Sequence, residues 1–232
     1  MTLYLEMIQV KSGMVRFLHW VIFVTTISLV ITGFYIANPV LLFGIGEATY
    51  TFVMAKVRFI HFISAILLDV AFLIRLYIAF FSTFHADWYE VLPTFKNVKD
   101  AWEESKFYWN FKGRLKEFRW VDPMDGIHFF ALHLVLVLQL FTGFAIYVSS
   151  IELQTGIMGL WSMTLHYATD WTLVVFGGLP GVRLAHHVTM WFVIVGAFIH
   201  IYTQIWKTIK LKRADMSAIL GGYKLKAREV KD

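Results

Sequence analysis

Seven of the nine histidines, His19, His61, His128, His133, His186, His187 and His200, fall within or at the ends of long apolar runs. An imidazole in hydrocarbon is costly and is usually kept for a function. Their depths sort into two layers. His19 lies about one turn inside the leading end of the first run, and His200 lies six residues before the end of the fourth. His61 and His186 sit just inside the opposite ends of the second and fourth runs. Two neutral imidazoles from different helices, one on each side of an iron, make a bis-histidine haem site in a bundle core. The chemistry such a pattern supports is one-electron transfer at two levels of a membrane.

His186 and His200 are 14 residues apart, which leaves only ~40° of rotation over roughly 21 Å of helical rise. Both therefore face one seam, with a spacing that suits two stacked haems. His187, ~100° away, falls off that seam and reads as a packing or hydrogen-bonding residue. Arg16, Arg58 and Arg183 each precede a layered histidine by three residues, in Arg16-Phe17-Leu18-His19, Arg58-Phe59-Ile60-His61 and Arg183-Leu184-Ala185-His186. That spacing puts each pair on one face with the arginine nearer water, where a guanidinium can grip a haem propionate; ordinary snorkelling arginines are the plainer alternative. Gly33, 14 residues after His19, either lets a flat macrocycle approach the backbone or serves close helix packing, and Gly143 has the same two readings. Asp69 and Arg75 pair with each other or with a propionate; the sequence leaves both open.

The elements that must position these residues are four apolar runs at about 15–37, 52–81, 127–148 and 184–206, each long enough for roughly 30 Å of hydrocarbon. The chain is 58% hydrophobic and 18% aromatic, above the usual composition of a soluble domain. It has no cysteine, which excludes disulfides, cysteine-ligated iron–sulfur clusters and covalently attached c-type haem. The N-terminal segment lacks the pattern of a cleaved signal, so the first run is expected to remain as an anchor. A fifth apolar stretch, 156–175, is interrupted by His166 and Asp170 and bounded by Gly177-Gly178 and Pro180. Charge decides its placement. Lys11 and Arg16 lead into the first run, seven Lys and Arg lie between Lys96 and Arg119, and eight follow from Lys207 to Lys231, whereas 38–51 and 149–181 contain none. With four spans, every basic segment falls on the cytoplasmic side, as the positive-inside rule requires. The expected fold is thus a single all-α integral membrane domain, 1–232. It is a four-transmembrane-helix bundle with two haems b, an extra interfacial helix on the outer face, a cytoplasmic loop 82–125 and a basic cytoplasmic tail 207–232. The net charge of +5 is read as orientation and lipid contact, and no nucleic acid partner is expected. Ile31-Thr32-Gly33-Phe34 and Phe141-Thr142-Gly143-Phe144 form a faint internal repeat at matching depth.

Arg16-x-x-His19-Trp20 running to Thr32-Gly33, with Arg183-x-x-His186-His187 running through Trp191 to His200, resembles the two signatures of the b-type cytochrome subunit of nickel–iron hydrogenases. The resemblance covers all four runs and implies a dihaem anchor in the bacterial inner membrane. It implies His61 and His186 as axial ligands of the outer haem, and His19 and His200 of the inner one. It also implies electrons arriving from the small subunit of a periplasmic hydrogenase, itself bound to the large subunit, and leaving to menaquinone or ubiquinone. His128, at the inner end of the third run, is the candidate proton donor at the quinone site, an interfacial histidine being the alternative. Such a chain is the electron-transferring, quinone-reducing subunit of an oxidoreductase and does not itself activate hydrogen. Rival readings are the cytochrome b subunit of a periplasmic formate dehydrogenase or another molybdoenzyme, a stand-alone superoxide:quinone oxidoreductase, and a haem-free transporter or structural membrane protein.

Overall fold

The computed structural model describes residues 3–39, 52–110, 121–151, 156–210 and 215–229. The apolar runs become α1 (Gly13–Ala37), α2 (Val53–Phe81), α5 (Pro123–Val148) and α7 (Leu179–Lys210), the four helices long and apolar enough to cross a membrane. α7 begins five residues earlier and ends four later than the apolar run alone suggests, because its end turns carry Leu179-Pro180 and Lys207–Lys210, outside the hydrophobic pattern but compatible with helix. Between α2 and α5 lie α3 (Trp88–Val91) and α4 (Phe95–Asn110), so the described part of the long loop is largely helical. The stretch 156–175 forms α6 (Gly156–Phe176), and α8 (Asp215–Leu220) follows α7. Residues 40–51, between the first two apolar runs, and 111–120, with four of the basic residues between the second and third, lie outside the described residues.

An addition to the all-helical expectation is a two-stranded antiparallel ribbon, β1 (Leu3–Gln9) with β2 (Tyr223–Glu229), in the register Leu3 to Glu229 through Gln9 to Tyr223. Its partners are the two ends of the chain, so no local sequence window contains the pairing.

The described residues fall into two compact units. The first comprises Met1–Glu90, Glu117–Val121 and Ile201–Asp232. In it α1 packs on α2, with Val15, Leu18, Thr25 and Thr32 of α1 and Ser64, Leu68, Ala71 and Phe72 of α2 buried. Ser28 Oγ and Ser64 Oγ share a 2.8 Å hydrogen bond across the pair. The N-terminus of α1 is capped by Ser12, whose Oγ accepts from Val15 N–H at 3.4 Å. The ribbon closes against this end, where the N–H groups of Val10 and Lys11 donate to Gly222 O at 2.8 and 3.1 Å.

The second unit comprises Val91–Lys116 and Asp122–His200. α4 and α6 each pack on α5. α6 turns Ser162, Leu165, Thr169 and Thr172 inward and leaves Ile157, Tyr167 and Val174 exposed. Gly177 and Gly178, at φ 74° and 94°, make the tight reversal into α7, a backbone region costly for any residue with a Cβ. α5 and α7 approach closely at Gly196, where an added Cβ would lie 2.4 Å from Leu132 Cδ2.

Both units are inverted relative to a water-soluble core. Small hydroxyl residues line the contacts, Thr142, Thr169 and Thr172 being at most 1% exposed, while Phe17, Phe59, Leu73 and Phe198 face outward. Lipid is as apolar as leucine, so helices in it associate through close packing and hydrogen bonds. The threonine hydroxyls satisfy themselves on carbonyls one turn back, as Thr25 does on Val21 O at 2.7 Å and Thr169 on Leu165 O at 2.7 Å.

The start of α5 has Asp122 at the N-cap, whose side chain does not bond the first-turn N–H groups, and Pro123 in its first turn. Its orphan donor at Met124 is met instead by Glu104 of α4, whose buried Oε2 accepts at 3.0 Å. Replacing Glu104 by Ala leaves that donor unsatisfied and should cost on the order of 1 kcal/mol. The expected result is a fall of a few degrees in the unfolding temperature of the detergent-solubilised chain, with Gln retaining most of the stability.

Candidate haem site

His61 and His186 are held in the same way in the two units. In the first, Thr32 Oγ1 of α1 lies 2.8 Å from His61 Nδ1 of α2. In the second, Thr142 Oγ1 of α5 lies 2.9 Å from His186 Nδ1 of α7. Gln139 Nε2 also donates to the backbone carbonyl of His186 at 2.9 Å, pinning α7 at that level. A Cβ built on Gly143 would stand 3.3 Å from His186 Cε1, so the glycine makes room for the imidazole itself. That gives Gly143 a position beside the ring, a third reading besides the two left open by its spacing. Gly33 is half-buried on α1, next to Thr32.

His19 is half-buried on α1, 13 residues before Thr32, so the levels of His19 and His61 differ by roughly 20 Å along the α1–α2 pair. His186 and His200 are both half-buried on α7, and Phe129 of α5 packs edge-on against the His200 ring at 5.1 Å between centroids. Each unit thus carries two histidine levels of similar separation. His187 is exposed, off the His186 face as its rotation requires.

His128, His133 and His166 bond to backbone carbonyls or to a carboxylate. His128 Nε2 donates to Gly196 O at 3.0 Å, tying α5 to α7 beside the Gly196–Leu132 contact. His133 Nδ1 bonds to Phe129 O of its own helix. In α6, His166 Nδ1 pairs with Asp170 Oδ1 at 3.0 Å.

The three arginines differ in setting. Arg58 and Arg183 are exposed, near the His61 and His186 level. Arg16 is half-buried: its Nη1 donates to Leu220 O at 2.6 Å, and its buried Nε has no protein partner among the described residues. Arg75 pairs with Asp87, beyond the end of α2, a partner that neither of the readings left open by the sequence had named. Its Nη1 and Asp87 Oδ1 are also buried without protein partners among the described residues.

This donor set fits haem b. Two rings present Nδ1 to hydroxyl oxygens, so Nε2 is the ring atom an iron would take, and cationic side chains carry unsatisfied donors suited to carboxylates. Among the described residues no three His, Asp or Glu side chains converge as they would around a bare metal ion.

Four apolar helices carrying internal imidazoles define a multi-pass helical membrane protein of the b-type cytochrome class. The family described as prokaryotic cytochrome b561 matches residues 11–222, and the chain belongs to that family. Its relatives include the probable Ni/Fe-hydrogenase B-type cytochrome subunit of Azotobacter vinelandii, 27% identical over 221 residues, covering 94% of this chain and 88% of that protein. The Rhodobacter capsulatus protein of the same description is 29% identical over 226 residues, covering 94% and 81%. The probable Ni/Fe-hydrogenase 1 B-type cytochrome subunit of Escherichia coli K12 is 27% identical over 214 residues, covering 90% and 87%.

A polar cluster that the sequence pattern did not mark adjoins the start of α1. His85, 2% exposed, accepts the Ser12 N–H on Nε2 at 2.9 Å. Burial, reinforced by the nearby Lys11 ammonium, holds its pKa down at about 4. Burial likewise lowers the Lys11 pKa against the opposing attraction of Asp87. The only advance signal was two charged or titratable residues, His85 and Asp87, immediately after an apolar run. Because the folded pKa of His85 lies below its ordinary 6.5, the unfolded chain takes up more protons between these values. Stability from this group is complete above the ordinary value and is lost as pH falls from 6.5 toward 4. The unfolding temperature in detergent should drop across that window, and His85→Gln should flatten the drop.

Proposed function

We propose that the chain is the membrane cytochrome subunit of a nickel–iron hydrogenase, taking electrons from the enzyme's iron–sulfur small subunit and passing them to a membrane quinone. The relatives named above as hydrogenase cytochrome subunits support the partner, since alignments cover nearly the full length of both chains. The observation that carries the reading is the repeated histidine seat on α2 and α7, with a second histidine level roughly 20 Å away in each unit.

In this reading His61 and His186 are the axial ligands of one haem b, and His19 and His200 those of a second. Bound haem supplies a one-electron ferric/ferrous couple. The residues of the chain do the rest. The imidazoles hold the irons at two depths, and Arg16, Arg58 and Arg183 offer guanidinium groups to the propionates at the two water-facing ends. The outward phenylalanine, leucine and isoleucine side chains keep the site in hydrocarbon. With the basic segments cytoplasmic, the His61–His186 level lies toward the periplasm, nearest the hydrogenase subunits, and the His19–His200 level toward the inner face. α6 lies at the periplasmic interface, and both termini are cytoplasmic.

His128 is the proposed donor to menaquinone or ubiquinone. With Nε2–H committed to Gly196 O, its ring reaches a headgroup through Nδ1, which donates only when the ring carries its second proton. His128→Gln should slow quinol formation while leaving the haem spectrum unchanged.

A reduced-minus-oxidised spectrum and haem assay of the full chain in detergent test the central claim. Two haems b per chain are expected, with His61→Ala and His186→Ala each abolishing the same one, and His19→Ala or His200→Ala the other. A colourless chain, or an unaltered spectrum in His186→Ala, would overturn the ligand assignment. Copurification with a formate dehydrogenase in place of a hydrogenase would overturn the partner and leave the haem sites standing.

A further inference from the structure

We propose that Thr32 and Thr142 are paired positioning residues that fix the tautomer of the two outer ligands and set the redox preference of the haem they hold. This rests on the reading of His61 and His186 as axial ligands.

The argument is a count of protons. Each threonine hydroxyl has one hydrogen. Thr32 Oγ1 lies 2.6 Å from Ser28 O and 3.3 Å from Leu29 O; Thr142 Oγ1 lies 2.7 Å from Leu138 O and 3.2 Å from Gln139 O. Carbonyl oxygens only accept, so the hydroxyl proton is committed to the helix backbone. Toward the imidazoles at 2.8 and 2.9 Å, the same oxygens can then act only as acceptors. Nδ1 of His61 and of His186 must therefore carry the ring proton, and Nε2 is the unprotonated nitrogen, which is the atom a ferric or ferrous iron needs. The back-bond alone is common, as at Thr25, Thr169 and Thr189. What Thr32 and Thr142 add is a histidine ring on the hydroxyl's second side, in both units.

The contrast with His128 shows that the choice is local. There a backbone carbonyl faces Nε2, so the proton resides on that nitrogen and the ring is in the opposite tautomer. The Thr-Gly dipeptide that repeats in the sequence is thus a histidine seat. Its hydroxyl orients the ring, and on α5 its glycine leaves space for the ring edge.

An acceptor on Nδ1–H makes the imidazole a stronger electron donor and favours ferric iron. Removing it should favour ferrous iron and raise the midpoint potential. The test uses the full chain in detergent, with Thr32→Val, Thr142→Val, the double variant and the matching serine substitutions. Haem content, the midpoint potential of each haem and the low-temperature magnetic resonance spectrum of the ferric form are measured. Each valine should keep both haems and raise the potential of one, the same one in both variants. The expected change is roughly tenfold in the ferric-to-ferrous ratio, about 59 mV for a one-electron couple. The double variant should shift it further, and serine should restore it. Haem lost in the valine variants and regained with serine would also support the hydroxyl's role. Unchanged potentials, equal shifts of both haems, or a defect that serine does not repair would overturn the proposal. If His61→Ala and His186→Ala keep both haems, the ligand reading itself fails, which separates the two failures.

Discussion

An imidazole in hydrocarbon has two nitrogens to satisfy and no water to satisfy them with. That requirement organises this protein more than any other. At His61 and His186 it is met by placing a threonine hydroxyl, already bonded to its own helix, against one nitrogen and leaving the other for iron in the proposed sites. Such a bond holds only if α1 lies against α2, and α5 against α7, in one register. The hydroxyl contacts that pack the helices therefore also aim the two imidazoles.

The same economy explains the inverted packing. Large apolar side chains cannot drive helix association where the solvent is equally apolar, so they face outward. Small and hydroxyl-bearing residues, with a few larger ones such as Leu68 and Phe72, occupy the contacts, where backbones can approach. Gly196 and Leu132 mark a close approach of α5 and α7, and the His128 bond to the Gly196 carbonyl ties the two helices there. At and beyond the ends of the spans the rules revert to those of water: a carboxylate caps α5, an ion pair joins Arg75, near the end of α2, to Asp87, and a β-ribbon gathers the two ends of the chain beside α1.

The apolar runs, the histidine layers and the basic segments were legible in the sequence because each is a local property: a residue type at a position along one helix. The four spans matched α1, α2, α5 and α7 to within a few residues at their ends, and membership of the cytochrome b561 family agrees with the resemblance carried by the two histidine motifs. The arginine triplet was equally visible, yet its members sit differently, Arg16 half-buried against Leu220 O and Arg58 and Arg183 exposed. Their spacing from the histidines could not reveal what lies across from them.

Composition and periodicity by themselves thus determined a helical membrane protein with histidines at two depths, since hydropathy and helical pitch depend only on neighbours in the chain. Tertiary structure decided what faces Nδ1 of His61 and of His186, because the hydroxyl comes from another helix, 29 residues away for His61 and 44 for His186. It also decided that Arg75 answers to Asp87, that Glu104 caps α5 and that the two ends of the chain pair as strands. Each of these is a contact between segments whose approach is set by packing, which no local pattern encodes.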